Sequence, residues 1–351
     1  MAANMRFSNM ESEDFEAHKA KILAIGCGGA GNNTITSLTE KNIKGANTVA
    51  INTDAKHLSI SKANQKILIG REITKGLGAG GYPDIGKNAA LENKDDLRNL
   101  LRGVDLVFLT CGLGGGTGTG ALPVVARLAK EAGAITIAAV TLPFKLEGAR
   151  ILKAEEGLVQ MREVCDTVIV IENQRLLEFA GDMPLKQAFG VADDLIATMI
   201  KGITETISEP SLVNLDYADV RAIMRCGGVA TIGVGESDTQ NRAEEAVSKA
   251  LNHPLLEVDY RGAVGALIQV IGGEDMRLDE INMIGERIRN QLDPDAQVIW
   301  GARILPEYKD KIQVITIITG VKSAFILGPI QKEEIKKSRV SKELGIEVIN
   351  D

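Results

Sequence analysis

Two glycine-rich loops carry the residues of this sequence whose types and spacing could do chemistry. The first loop runs from Gly26 to Asn33, and the second loop runs from Gly112 to Gly120, with only Gly and Thr from Gly114 onward. Glycine lets the backbone approach a ligand closely, and a helix that begins after such a loop offers free N–H groups and the positive end of its dipole. We therefore expect the two loops to hold a chain of phosphates from two sides.

The second loop contains the donors that phosphate oxygens accept, but no lysine of the usual kind. Its backbone N–H groups and the hydroxyls of Thr117 and Thr119 are all available as donors. The chain has no G-x-x-x-x-G-K-[ST] motif, so phosphates would be held by backbone groups and hydroxyls instead. Asn52 and Asp54 follow the next apolar run, where they could approach the ribose or a metal-bound water.

The first loop considered alone permits another interpretation. Gly26, Gly28 and Gly31 fit G-x-G-x-x-G, and Asp54 stands roughly 20 residues further on, where a dinucleotide-binding fold has its ribose-binding acid. A nicotinamide-dependent oxidoreductase is therefore one alternative. It assigns no role to the second loop, and the chain offers no convincing histidine or acid for hydride transfer.

A pair of acids forms a third feature, in a segment that we call the acidic loop (residues 214–219). Asp216 and Asp219 lie on one face of a predicted helix start, where carboxylates are commonly caps. The pair follows a long predicted helix and is far from the glycine loops in the chain. Within one chain the acids cannot meet the phosphates, but they can between chains stacked head to tail. A heterologous contact of this kind produces filaments.

These motifs together resemble those of the tubulin/FtsZ superfamily. Residues 114–120 (GGGTGTG) resemble its signature, residues 26–33 resemble the first nucleotide loop of FtsZ, and residues 214–219 (NLDYAD) resemble the FtsZ catalytic loop. The resemblance extends from about residue 21 to residue 322. The Thr-Cys-Gly-Leu sequence at 110–113 and the short tail look more archaeal than bacterial.

The resemblance implies a GTP/GDP site and assigns its parts. A third loop (residues 76–81) would close over the terminal phosphate, and Glu147 would bind the ribose. Asn173 and Asp193 would form hydrogen bonds to the guanine, and Phe189 would stack on it. FtsZ proteins have an arginine four residues after that glutamate, where this chain has Ile151. Either Arg150 replaces it or the contact is absent. The expected nucleotide-binding residues are Gly28, Gly29, Ala30, Asn32, Asn33, Asn52, Asp54, Gly78, Ala79, Gly80, Gly114, Gly115, Gly116, Thr117, Gly118, Thr119, Pro143, Glu147, Arg150, Asn173, Phe189 and Asp193.

The resemblance also implies a reaction and its partners. Asn214, Asp216 and Asp219 of one subunit would act on GTP held by the next, with Mg²⁺ bound mainly through the phosphates and water. The chain would be a polymerising GTPase that builds cytoplasmic protofilaments at the division site. Its partners would be further copies of itself and a membrane-tethering division adaptor. A GTP-binding regulator that does not polymerise is the remaining alternative.

The composition agrees with a protein of this class. The chain has 351 residues, 44% of them hydrophobic and 3% aromatic, which predicts about two domains with aliphatic cores. A net charge of −7 argues against broad binding to nucleic acid. We find no signal peptide and no apolar run of transmembrane length, so we expect no direct membrane insertion. The four cysteines show no C-x-x-C spacing and are expected to be reduced.

Alternating strands and helices place these motifs at the ends of strands. Apolar runs and helical periodicity predict an α/β fold with a Rossmann-like parallel sheet, whose ligand sites lie at the carboxyl ends of strands. The strands are predicted at 21–26, 48–53, 66–70, 105–111, 134–142 and 167–172, and helices at 31–42, 84–102, 118–132 and 148–164. The predicted organisation is a flexible arm (1–20), a GTP-binding domain (21–183), a central helix (184–208), a smaller α+β domain (209–322) and a charged tail (323–351). We expect the smaller domain to have one sheet with helices on one face, and the tail to be either disordered or a short helix.

Overall fold

A computed structural model of the chain describes residues 20–209, 211–225, 229–252, 259–322 and 326–327. Nearly all of the predicted arm and most of the predicted tail lie outside this range. Within it the chain builds two sheets joined by a long helix, and the predicted fold class is confirmed.

The first sheet contains six parallel strands in the order β6-β5-β4-β1-β2-β3. Its central strands read as continuous buried runs because helices cover both faces, whereas the edge strand β3 is exposed or half-buried. All six strands lie where the sequence predicts them. They are β1 (Ile22–Cys27), β2 (Ala46–Asn52), β3 (Gln65–Leu68), β4 (Leu106–Gly112), β5 (Ile135–Leu142) and β6 (Thr167–Glu172).

Eight helices connect these strands or follow the last of them. They are α1 (Gly28–Glu40), α2 (Ala55–Ile60), α3 (Arg71–Thr74), α4 (Pro83–Glu92), α5 (Lys94–Leu101), α6 (Thr117–Glu131), α7 (Ala149–Val164) and α8 (Asn173–Ala180). The sequence predicts one helix over 84–102, but the structure has two. Asn93 separates them, and its side-chain oxygen accepts a hydrogen bond from the Gly70 N–H at 2.9 Å.

The central helix α9 (Leu185–Ser208) packs along α1 and crosses beneath the first sheet. Its Ile196, Ile200 and Ile203 are almost fully buried in a core shared with β1, β4 and the second sheet. Twenty-four residues span about 36 Å at 1.5 Å per residue. The helix therefore connects opposite ends of the molecule.

The second sheet has the order β7-β10-β8-β9 and is covered on both faces. The sequence predicts helices on one face of this sheet, and α11 and α12 pack on that face. The opposite face also carries apolar residues, including Leu267 and Ile317, which pack against α9 and α10. The elements are α10 (Tyr217–Arg225), β7 (Val229–Ser237), α11 (Arg242–Leu251), β8 (Gly265–Gly272), α12 (Leu278–Arg289), β9 (Gln297–Ile304) and β10 (Ile312–Val321).

One strand lies in the segment 323–351, which the sequence predicts to be a charged tail that is either disordered or a short helix. Strand β11 (Ile326–Leu327) pairs antiparallel with β6 and becomes the seventh strand of the first sheet. The sequence does not predict this strand, because two residues are too few to give an alternating pattern.

Candidate nucleotide site

The first and second loops follow two strands that are neighbours in the sheet, so the loops begin side by side. Strands β1 and β4 pair in register, so Cys27 lies opposite Cys111 at the point where each loop begins. Helix α1 starts within the first loop and α6 within the second. Their N-cap residues, Cys27 and Gly116, provide no side-chain cap. Both helix N-termini thus point uncapped N–H groups toward one place, which suits an anion.

The glycines of these loops divide into two groups. A Cβ on Gly118 would lie 3.0 Å from the Gly112 carbonyl oxygen, and a Cβ on Gly120 would overlap the Pro83 carbonyl, so the fold itself requires both glycines. A Cβ on Gly115 would meet no protein atom within 4 Å, and one on Gly29 would meet only His57 at 3.8 Å. Gly115 and Gly29 therefore present bare backbone to open space, as a phosphate cradle requires.

The two threonines of the second loop hold it in place. The Thr117 hydroxyl is 2.6 Å from the Thr53 hydroxyl, and the Thr119 hydroxyl accepts a hydrogen bond from the Gly114 N–H at 2.9 Å. Both side chains are buried. A hydroxyl has a single O–H to donate to a phosphate oxygen. Thr119 keeps its O–H because it accepts from Gly114, and Thr117 keeps its O–H when Thr53 is the donor in their pair.

Two predicted asparagines lie beneath the first loop. Asn32 is fully buried, and its amide, oriented to satisfy both polar atoms, donates to the Gly26, Gly28 and Ile51 carbonyls. It also accepts from Asn52, whose own side-chain oxygen accepts from the Thr53 N–H at 2.9 Å. The buried hydrogen bonds of Asn32 and Asn52 thus hold the backbone of the first loop in place, while Ala30 and Asn33 of the same loop are exposed.

The third loop closes the site on a further side. Gly76, Gly78, Gly80 and Gly81 all have positive φ, which only glycine adopts readily. Ala79 is buried, and a Cβ on Gly116 would lie 2.8 Å from the Ala79 Cβ. The third loop therefore packs directly on the second. It also pairs with Asp54, whose carboxylate caps α2 by accepting from the His57 N–H at 3.0 Å.

The predicted ribose contacts follow β5, beside the second loop. Glu147 accepts from the Phe144 N–H at 3.0 Å and from the Arg150 guanidinium at 2.7 Å, so Arg150 orients this carboxylate. Pro143 is half-buried at the end of β5. A Cβ on Gly114 would lie 2.8 Å from the Arg150 carbonyl oxygen, which places the start of α7 against the second loop.

The predicted base contacts lie further along the same edge of the sheet. Asn173 opens α8 directly after β6. Phe189 is 40% exposed, and its ring packs edge-to-face on Phe144 with centroids 5.7 Å apart. Asp193, one turn later on α9, accepts from the Thr34 hydroxyl at 2.6 Å. Burial raises the pKa of Asp193 to about 6, although the Thr34 hydrogen bond opposes this shift.

The acidic loop is at the opposite end of the first sheet. The Tyr217 hydroxyl donates to the Asp105 carbonyl at 3.1 Å, and Asp105 directly precedes β4, whose far end begins the second loop. Seven residues of strand separate the two ends by about 23 Å. The structure thus brings the predicted nucleotide-binding residues together along one edge and keeps the predicted catalytic acids away from them.

Asp216 and Asp219 form a reciprocal cap at the start of α10. The Asp216 N–H donates to Asp219 at 3.0 Å, and the Asp219 N–H donates to Asp216 at 2.9 Å. The two acids therefore act as helix caps, which is what their spacing alone predicts. Each carboxylate nevertheless keeps a second oxygen that takes no part in this cap. Asn214 is exposed, and its neighbour Val213 pairs with Ala302 of β9 through two backbone hydrogen bonds.

Sequence reasoning missed three residues that support this site. Thr53 lies between the predicted Asn52 and Asp54, and Thr34 follows the first loop on α1, so both were close to the motifs. Lys153 donates to the Gly81 carbonyl across 72 residues of chain, and no local pattern indicates that contact.

The described residues contain no group of three or more His, Cys, Asp or Glu placed to hold a metal ion. In the same part of the chain, no helix has both the length and the apolar character needed to cross a bilayer.

A parallel α/β sheet with three converging glycine loops, followed by a long helix and a second mixed sheet, defines a GTPase of the tubulin type. Residues 21–181 match the GTPase domain of the Tubulin/FtsZ family, and residues 228–322 match the C-terminal domain of the FtsZ family. The chain belongs to the FtsZ family, the tubulin-like cell-division GTPases. The oxidoreductase interpretation of the first loop is not favoured.

Similar proteins support this assignment over most of the chain. Cell division protein FtsZ 2 of Methanocaldococcus jannaschii is 56% identical over 331 residues, covering 93% of this chain and 87% of that protein. FtsZ 2 of Halobacterium salinarum is 52% identical over 319 residues, covering 91% and 81%. A solved structure described as an empty FtsZ dimer of M. jannaschii has a TM-score of 0.80 at 52% identity, covering 88% and 90%. The archaeal character of the resemblance is therefore confirmed.

Proposed function

We propose that this chain binds GTP along the edge formed by its three glycine loops and hydrolyses it only at head-to-tail junctions between subunits. The observation that carries this proposal is the separation of the acidic loop from the second loop by the length of β4. A junction supplies both halves of the reaction, and because its two surfaces differ, repetition produces a filament. The similar M. jannaschii protein solved as a dimer supports self-association.

The chemistry at such a junction divides between the two subunits. One subunit holds the phosphates through backbone N–H groups of the first and second loops, which oppose the charge that develops during phosphoryl transfer. The next subunit contributes Asp216 and Asp219. Their mutual cap orients both carboxylates and leaves one oxygen of each available to position the attacking water. Asn214, exposed on the same loop, is a further polar contact.

Mg²⁺ fits this site as an ion held mainly by the phosphates and water. The described residues offer no acidic cluster that would bind it alone, and Asp54 is a single carboxylate at the third loop. Bound there, the ion would offset negative charge on the phosphates. The chain would work in the cytoplasm at the division site, and a membrane-tethering adaptor would attach its filaments.

Mixing two inactive variants tests the shared site. Asp219→Ala removes an acid, and Gly115→Ala blocks phosphate approach without touching other protein atoms. At a GTP concentration that fills the unmodified pocket but not the Gly115→Ala pocket, each variant alone should hydrolyse GTP very slowly. A junction whose pocket comes from the Asp219→Ala subunit and whose acids come from the Gly115→Ala subunit is complete. Random mixing makes such junctions about a quarter of the total, so a 1:1 mixture should recover up to about that fraction of activity.

Three outcomes would contradict hydrolysis at junctions. One is a specific GTPase rate of the unmodified chain that does not change with protein concentration. Another is normal hydrolysis by Asp219→Ala. The third is an inactive mixture whose subunits co-sediment with GTP. Co-sedimentation that is the same with GTP and GDP would favour the non-polymerising regulator.

A further inference from the structure

Lys153 supports the nucleotide site from outside, through a contact with the third loop that has not yet been given a role in nucleotide binding. It lies on α7 and is half-buried. Its ammonium donates to the Gly81 carbonyl at 2.8 Å and lies 5.3 Å from the centroid of the Tyr82 ring. Two kinds of interaction, a charge-assisted hydrogen bond and a cation–π contact, thus connect α7 to the end of the third loop.

The two halves of the third loop are held differently. The first half is tied to the sheet, because the Gly78 N–H donates to the Thr53 carbonyl at 3.1 Å and the Ala55 N–H donates to the Gly76 carbonyl at 3.0 Å. In the second half, consecutive residues Gly80 and Gly81 have φ of 59° and 78°. Two adjacent glycines give the backbone no conformational preference of its own. The position of this half therefore depends on its contacts.

Lys153 makes its contact where the second and third loops meet. On the same helix, Gly157 packs against the Thr119 side chain, so this face of α7 is turned to the second loop. A Cβ on Gly116 would lie 2.9 Å from the Tyr82 backbone nitrogen. The ammonium is thus held beside both loops that enclose the proposed phosphate site, and it is a compact charge with three donors, of which Gly81 uses one.

We infer that Lys153 is a positioning residue that holds the third loop against the second and makes the site prefer nucleoside triphosphate over diphosphate. The inference rests on the proposed function, in which the third loop covers the terminal phosphate. A diphosphate lacks the group that this half of the loop covers. Loss of the lysine should therefore weaken GTP binding and leave GDP binding almost unchanged.

The test compares Lys153→Met and Lys153→Arg with the unmodified chain. The control is Lys249→Met, which removes the same charge from an exposed lysine of α11. Affinities for GTP and GDP are measured by calorimetry at protein concentrations below assembly. We expect Lys153→Met to reduce the GTP-to-GDP affinity ratio about tenfold, as expected for loss of one charged hydrogen bond. Lys153→Arg should restore most of the ratio, and the control should keep it.

Equal losses for GTP and GDP would overturn the inference, because a purely structural lysine would act on both nucleotides. An unchanged ratio in a folded Lys153→Met variant would also overturn it. If that variant does not fold, Tyr82→Leu tests the same contact against Tyr82→Phe, which keeps the ring; the leucine variant alone should lower the ratio. An unmodified chain that binds no GTP would instead reject the proposed function.

Discussion

Substituting adjacent glycines of the second loop separates what the ligand requires from what the fold requires. Gly115 has no protein atom within 4 Å of its would-be Cβ, and its φ lies outside the left-handed region. Gly115→Ala should therefore leave the free energy of unfolding unchanged or raise it by about 0.4–1 kcal/mol. A methyl group there would still push a phosphate away from the backbone. Loss of one charge-assisted hydrogen bond, about 1.5–3 kcal/mol, lowers GTP affinity roughly 10- to 150-fold.

Gly116→Ala is the matched comparison. Its Cβ would lie 2.8 Å from the Ala79 Cβ and 2.9 Å from the Tyr82 nitrogen, so it should displace the third loop and lower both stability and GTP affinity. Thermal unfolding and calorimetry with GTP, below the concentration of assembly, measure the two effects separately. Wild-type GTP affinity in Gly115→Ala would refute the phosphate cradle. A melting temperature several degrees lower in that variant would show that the fold needs this glycine.

Substitutions at three further positions test the base contact and the acidic loop. Because burial raises the pKa of Asp193 to about 6, GTP affinity measured by calorimetry should fall as the pH drops below that value. The Asp193→Asn variant should lose both this pH dependence and the preference for guanine over adenine. The raised pKa of Asp193 also means that this residue's own contribution to the stability of the ligand-free fold falls as the pH rises from about 4 to above 6. Denaturant unfolding should show this as a pH-dependent difference in stability between the unmodified chain and Asp193→Asn, and a difference that is the same at every pH would contradict it. Gly301→Ala would place a Cβ 2.6 Å from the Gln269 side-chain oxygen, 2.7 Å from Leu215 and 2.8 Å from the Val213 carbonyl oxygen. In the folded variant, GTPase activity should fall while monomer affinity for GTP stays constant, and equal loss of both would reject an effect through the acidic loop. Asp219→Asn keeps an oxygen for the helix cap and should preserve stability, whereas Asp219→Ala should lower the free energy of unfolding by about 0.5–2 kcal/mol. Both variants should abolish hydrolysis, and normal turnover by the asparagine variant would exclude the carboxylate as a catalytic group.

The parallel sheet could be predicted because its strands are buried on both faces. Such strands leave continuous apolar runs, as in β4 and β5, and the glycine motifs mark where each strand ends. Helices α2 and α3 have six and four residues, too few to show a helical period. The break at Asn93 depends on a hydrogen bond to Gly70, which no local pattern reports.

The site could be predicted only as far as topology determines it. Strand order places the first and second loops together, and the long helix places the acids elsewhere. The sequence does not distinguish Gly118, which packs on protein, from Gly115, which faces open space, because the difference lies in atoms from other loops. The contact of Lys153 with Gly81 likewise joins elements that are distant in the chain.

The hydrogen bond from Tyr217 to Asp105 has a numerical consequence. It attaches the acidic loop to one end of the strand whose other end carries the second loop. Under the proposed function, every subunit would therefore contribute half of two different reaction centres. A head-to-tail row of n subunits then contains n − 1 complete centres. One terminus displays a nucleotide pocket with no acids, and the other displays acids with no nucleotide. Under that proposal, turnover per subunit would rise with row length and approach a plateau, and a single subunit would not hydrolyse its own GTP before a neighbour arrives.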